Sequence, residues 1–169
     1  MFRTHLTAVF FMLCLLTPIA ENVHAVQIDK PAPGFSLYDP DGRRHQLADF
    51  KGSVVILNFW STSCAPCVAE MPGLNSLHSE LKDSGLTVLG ISLDRSAKAV
   101  KELASRLRIS YPLLMDSRQE VYFDSYALFG QPVSILIDRQ GMVRDRLTGQ
   151  IDWNAPSIRS KVMNLLKGK

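Results

Sequence analysis

Residues Trp60–Cys67 read WSTSCAPC. Two cysteines separated by two residues support three kinds of chemistry: a structural staple, half of a metal site, or a redox pair that makes and breaks its own disulfide. The chain holds three cysteines, and the third, Cys14, lies in the apolar N-terminal segment without the small residues expected before a lipid-modified cysteine. Past that segment only Cys64 and Cys67 remain, so they are left to pair with each other. As a staple they would close a very small loop, worth about 2 kcal/mol on a chain-entropy estimate. A domain of this length builds a core and does not depend on it. A structural zinc site needs four ligands at characteristic spacings. Beyond the first 25 residues the chain offers only His45 and His78, far apart, and no second cysteine pair. No metal and no cofactor are therefore expected, and a redox pair is the strongest reading, provided the local structure activates a thiol.

The flanking elements supply that activation. Val54–Trp60 (VVILNFW) is a nearly continuous apolar, β-rich run, as in a strand buried on both faces. After the cysteines, Val68, Met71, Leu74, Leu77, His78 and Leu81 recur at helical spacing. The pair thus sits where a strand ends and a helix begins. Unpaired N–H groups and partial positive charge at a helix start stabilise a thiolate. Cys64, nearer the helix start and the surface, is the expected nucleophile. Cys67, one turn further in, is the expected resolving thiol. Pro66 suits a first helical turn. Exchange also needs a proton acceptor for the second thiol. Glu70, three residues past Cys67, is the candidate, with a solvated surface glutamate as the alternative that spacing alone favours.

The rest of the chain alternates strand and helix signals. Phe35–Tyr38 and Arg43–Leu47 flank the turn Asp39-Pro40-Asp41-Gly42 as a hairpin. Strands are expected at Thr87–Leu93, Val133–Ile137 and Met142–Leu147, the last two joined by a turn at Asp138–Gly141. Helices are expected at Ala97–Leu107, at Val121–Phe129, and from an Asn154 cap through Leu166 with Pro156 in the first turn. Pro72 should kink the helix after the cysteines. The order β-β-β-α-β-α-α-β-β-α implies an α/β fold, a three-layer sandwich around a mixed sheet, with an N-terminal hairpin.

Composition narrows the function. With 46% hydrophobic and 21% charged residues the chain is globular rather than disordered. A net charge of +3 without a basic stripe argues against a nucleic-acid partner. Residues 1–25 place Arg3 and His5 before an apolar run, Leu6–Ala20, then Val23-His24-Ala25. This is the pattern of a secretory signal peptide cleaved after Ala25, with an uncleaved anchor as the alternative. The apolar run is short for a membrane span of about 20 residues. Either way residues 26–169 form one domain outside the cytoplasm, periplasmic or otherwise extracytoplasmic.

The segment VVILNFWSTSCAPCVAEMP, Val54–Pro72, resembles the active-site segment of thioredoxin-like proteins, and within them the extracytoplasmic TlpA-like branch that includes the cytochrome c maturation reductants. GFSLYDPDGRRHQLADFKG resembles that branch's N-terminal hairpin, and YALFGQPVSILIDRQGMV its cis-proline, strand and hairpin. The resemblance covers roughly residues 28–167. It implies a thioredoxin-like sandwich with a central insertion between Leu93 and Phe129. Cys64 and Cys67 match the redox disulfide, Pro132 the cis-proline beside it, and Glu70 an acidic residue common in the branch. Trp60, Gln131 and Pro132 are the substrate-binding positions it implies. Asn58 stands where cytoplasmic thioredoxins hold a buried aspartate, and an asparagine cannot act as base. Ser63 replaces a usual tryptophan, Gln131 a usual β-branched residue, and Val68 lacks a frequent positive charge. The implied activity is a thiol:disulfide oxidoreductase, acting as reductant on specific protein disulfides such as those of apocytochrome c. A reductant in an oxidising compartment must be recharged, which implies a membrane thiol donor. Alternatives are a metallochaperone or binding module, although no histidine follows His78, and a thiol peroxidase, although Ser61 and Leu57 stand where threonine and proline are needed.

Overall fold

Residues 26–168 are described in the computed structural model. The expected leader therefore lies outside the described residues. Every residue of β3 (Val54–Trp60) is buried. Its side chains alternate between two cores. Val55, Leu57 and Phe59 pack with Phe35, Tyr122 and Tyr126 on one face of the sheet. Val54, Ile56 and Trp60 pack with Met71, Leu74 and Leu77 on the other. A strand covered on both faces carries no polar stripe, hence the unbroken apolar run. Asn58 is the exception, and it belongs to the site.

Around β3 the sheet has seven strands in the order β2-β1-β5-β4-β3-β6-β7. The hairpin β1 (Ser36–Tyr38) and β2 (Arg44–Gln46) forms one edge. Strands β4 (Leu86–Ser92) and β3 run parallel, with Asn58 opposite Gly90. Strand β6 (Val133–Ile137) is antiparallel to β3 and sets Ser134 opposite Asn58. Strand β7 (Val143–Thr148) closes the other edge across a turn in which Asp138 Oδ1 accepts the N–H groups of Gln140 and Met142, both at 2.9 Å. Gly141 sits there at φ 83°, where a side chain would be strained. Helices α1 (Ala65–Leu81), α2 (Ala97–Leu107) and α3 (Pro156–Leu166) contribute to the second core. The first core is closed by the N-terminal segment, a 3-10 turn at Leu47–Phe50 and the segment Val121–Leu128. The result is the three-layer sandwich around a mixed sheet.

Three local readings change. A strand without a sequence signal, β5 (Leu113–Met115), pairs parallel to β4 and antiparallel to β1, tying the hairpin to the central sheet. Three apolar residues after Pro112 show no alternation to mark them. The helix expected over Val121–Phe129 is a single π-helical turn, Val121–Ser125. Its first N–H groups are held by the buried Asp116 carboxylate (Tyr122 N–H at 2.9 Å), and Ala127 at φ 47° ends it. Asn154 does not cap α3, which begins after Ala155 without a side-chain cap. The Asn154 N–H is bonded instead to Asp152 Oδ1 at 3.0 Å. Helix α1 runs from Ala65 to Leu81 with Pro72 inside it.

Candidate active site

Cys64 is the N-cap of α1, with extended backbone (φ −88°, ψ 96°) and Pro66 in the first turn. Its Sγ accepts the N–H of Cys67 at 3.3 Å, and its carbonyl accepts that of Val68 at 3.0 Å. Sulfur here occupies the place that an Asp or Ser oxygen takes at an ordinary helix start. Cys64 and Cys67 are joined as a disulfide with Cα atoms 5.3 Å apart. Cys64 is partly exposed, whereas Cys67 is wholly buried. The pair is therefore asymmetric, with Cys64 partly exposed at the rim of the helix-side core and Cys67 wholly within it.

The loop before Cys64 is fastened by a residue that the sequence reading overlooked. The Asp94 carboxylate, just past β4, accepts the Thr62 N–H at 2.9 Å, the Thr62 hydroxyl at 2.7 Å and the Ser92 hydroxyl at 2.8 Å. An aspartate following a strand reads as a turn residue, so nothing in the sequence linked it to Thr62. On the other side lies the Gln131–Pro132 bond, which is cis. Gln131 Oε1 stands 3.9 Å from Cys67 Sγ, a contact with a sulfur that carries no hydrogen in the disulfide. The cis-proline is thus brought beside the sulfurs by β6, next to β3.

Glu70 is not a surface glutamate. It is only 3% exposed, one helical turn beyond Cys67. Its Oε1 accepts the Asn58 amide at 2.7 Å and its Oε2 the Ile151 N–H at 2.8 Å. Asn58 Nδ2 also donates to Ser134 Oγ at 3.0 Å. Burial raises the Glu70 pKa above its ordinary value, and the hydrogen bonds from Ile151 and Asn58 offset this only in part. The sign of this environment was present in the sequence: Glu70 lies on the same helical face as Cys67 and Leu74. Trp60 also requires correction. It is 0% exposed and packs in the helix-side core, so it lines no substrate surface. Its place in an unbroken buried strand, two residues from Asn58 on the same face, fixes it there.

A partly exposed cysteine at a helix start bonded to a buried one, with a buried carboxyl one helical turn beyond, is an arrangement in which dithiol–disulfide exchange can run. The profile described as the AhpC/TSA family matches residues 28–146. The chain belongs to the AhpC/TSA family. It is 36% identical over 146 residues to the thiol-disulfide oxidoreductase ResA of Geobacillus kaustophilus, covering 82% of this chain and 83% of that protein. With the protein of the same name from Bacillus subtilis it shares 32% identity over 136 residues, 80% of this chain and 74% of that one. Among solved structures, a putative thiol:disulfide interchange protein DsbE from Chlorobium tepidum superposes with a TM-score of 0.77 at 26% identity, covering 84% of this chain and 99% of that one. A putative protein disulfide isomerase from Bacteroides thetaiotaomicron gives 0.73 at 27% identity, covering 84% and 91%. The chain is a thioredoxin-fold thiol-disulfide oxidoreductase of this family.

Proposed function

We propose that Cys64 and Cys67 carry the exchange, with Glu70 moving the proton, and that the protein reduces specific polypeptide disulfides outside the cytoplasm. The observation that carries this reading is the asymmetry of the pair, a partly exposed cysteine capping α1 and a wholly buried one, with the buried Glu70 one helical turn further along. In the reduced protein, Cys64 is held as a thiolate by the N–H groups of the first turn. It attacks one sulfur of the substrate disulfide. A Cys64–substrate disulfide forms, and the other substrate sulfur leaves as a thiolate. Cys67 then passes its proton to the Glu70 carboxylate and attacks Cys64 Sγ. The Cys64–Cys67 disulfide forms, the second substrate thiolate is released, and two electrons have passed to the substrate. Raising the pKa of Glu70 brings it nearer to that of a thiol, which makes it a better acceptor than an exposed glutamate. Pro132 and Gln131 flank the sulfurs where an extended substrate would lie.

The leader pattern at residues 1–25 supports an extracytoplasmic location, whether the segment is removed or kept as an anchor. The cysteines of apocytochrome c are the substrate class we infer from the relatives' branch. A membrane thiol donor would recharge the pair, returning the two electrons. The test is trapping. Cys67→Ser is expected to accumulate mixed disulfides with its substrate, and Cys64→Ser to form none. The opposite pattern would reverse the two roles, and trapping by neither would remove the reading.

A further inference from the structure

The turn that delivers Cys64 to α1 is Ser61–Cys64, closed by the Cys64 N–H on the Ser61 carbonyl at 3.2 Å. Just beyond the ladder of β3 and β4, the Leu93 N–H still reaches the Trp60 carbonyl at 2.9 Å. There the backbone of β3 turns away and the link passes to a side chain. The Asp94 carboxylate takes both the N–H and the hydroxyl of Thr62, the second residue of the turn. Bonds to a charged acceptor are shorter and stronger than neutral ones.

The carboxylate is itself aimed. Ser92, wholly buried at the end of β4, donates its hydroxyl to Asp94 Oδ2 at 2.8 Å and accepts the Asp94 N–H at 3.2 Å. The anchor for Thr62 therefore stands on the sheet. Cys64, two residues further on, has its Sγ in line with the Cys67 N–H. The N–H groups of a helix start favour a thiolate only while the sulfur stays in line with them, because such bonds weaken steeply with misalignment. Asp94 also brings a negative charge to this loop, and by charge alone it would oppose ionisation of a nearby thiol. Position and charge thus predict opposite effects of removing it, so the two are separable.

We propose that Asp94 is a positioning residue for the nucleophile. By pinning Thr62 to the end of β4 it holds Cys64 on the first turn of α1 and keeps its sulfur reactive at neutral pH. The inference rests on the proposed role of Cys64 and adds to it the residue that sets its reactivity from another strand.

The test follows alkylation of Cys64 by iodoacetamide in the reduced full-length protein, located by mass spectrometry, between pH 5 and pH 10. Only the thiolate reacts. The rate at pH 6 divided by the plateau rate at high pH therefore reads how readily Cys64 ionises. Asp94→Ala is expected to lower this ratio about tenfold. Asp94→Asn is expected to restore most of it: its oxygen can accept the Thr62 N–H and the Ser92 hydroxyl, and its amide can donate to the Thr62 hydroxyl. Thr62→Val keeps the N–H bond, loses the hydroxyl bond and should fall between. An Asp94→Ala ratio at or above the wild type would overturn the proposal: a rise would mean that the aspartate acts by its charge, no change that it only braces the fold. An Asp94→Asn ratio as low as that of Asp94→Ala would overturn it too, since the restored bonds would then not be what matters. Should Asp94→Ala fail to fold, Thr62→Val decides alone, a lowered ratio supporting the proposal and a wild-type ratio overturning it. All of these outcomes leave the exchange function standing. A wild type in which Cys64 titrates as an ordinary thiol and exchanges with no dithiol would remove that function itself.

Discussion

Glu70 shows how much one residue's surroundings decide. A carboxyl three residues after a cysteine is unremarkable in sequence, but here both oxygens are bonded and almost no surface is exposed. Its pKa lies above the ordinary 4.5 because burial disfavours the charged form. Two consequences follow. Glu70→Gln removes the proposed proton acceptor, so release of the mixed disulfide at neutral pH should slow by about 100-fold, read in single-turnover kinetics. An unchanged rate would move the proton transfer to water. The second consequence concerns stability. Between 4.5 and the folded-state pKa, the folded protein keeps a proton that the unfolded chain has released. The stability from this group is complete below 4.5 and is lost as pH rises through the folded value. Stability of the wild type relative to Glu70→Gln should therefore fall with rising pH, measured by urea unfolding at pH 4 and pH 7. A difference that grew with pH would contradict the direction of the shift.

At the scale of elements, the site depends on how closely β4 and β5 pack. Gly90 lies opposite Asn58 in β3. A Cβ at Gly90 would meet Leu113 Cδ2 at 2.6 Å, the Tyr111 ring at 3.0 Å and Trp60 Nε1 at 3.1 Å. Gly90→Ala should therefore destabilise the fold by about 1–3 kcal/mol through overpacking, visible as a lower urea midpoint at constant slope. Stability equal to the wild type would mean that β5 can retreat. The same elements show where sequence patterns run out. Helix α2 was legible to the residue, because its apolar positions recur at helical spacing; the structure adds Ser96 as its cap. Strand β5 was not, because three residues do not make a period. The Val121–Phe129 segment carried apolar residues at helical spacing, but Asp116 and the Gly130 carbonyl hold its polar groups in a different path.

At the scale of the whole molecule, the reduction potential measures the balance between the dithiol and disulfide forms. A reductant should have a value near that of thioredoxin, about −270 mV, in equilibrium with glutathione. A value near −120 mV would assign the opposite direction of electron flow. The molecule joins its parts across long sequence separations: Asn58 with Ser134 and Glu70, Thr62 with Asp94, Cys67 with Gln131. Each of these meets at the end or the middle of β3, which its neighbours cover on both sides.

From the sequence alone came the redox pair, the strand and helix that flank it, and the sandwich that holds them, because each of these is written in local spacing. Spacing along one helix also placed Glu70 on the side of Cys67. Only the tertiary structure decided that Glu70 is buried, that Trp60 is core rather than surface, and that Asp94 holds the loop. Burial and hydrogen bonding depend on what the far parts of the chain bring to a residue, and no local pattern records that.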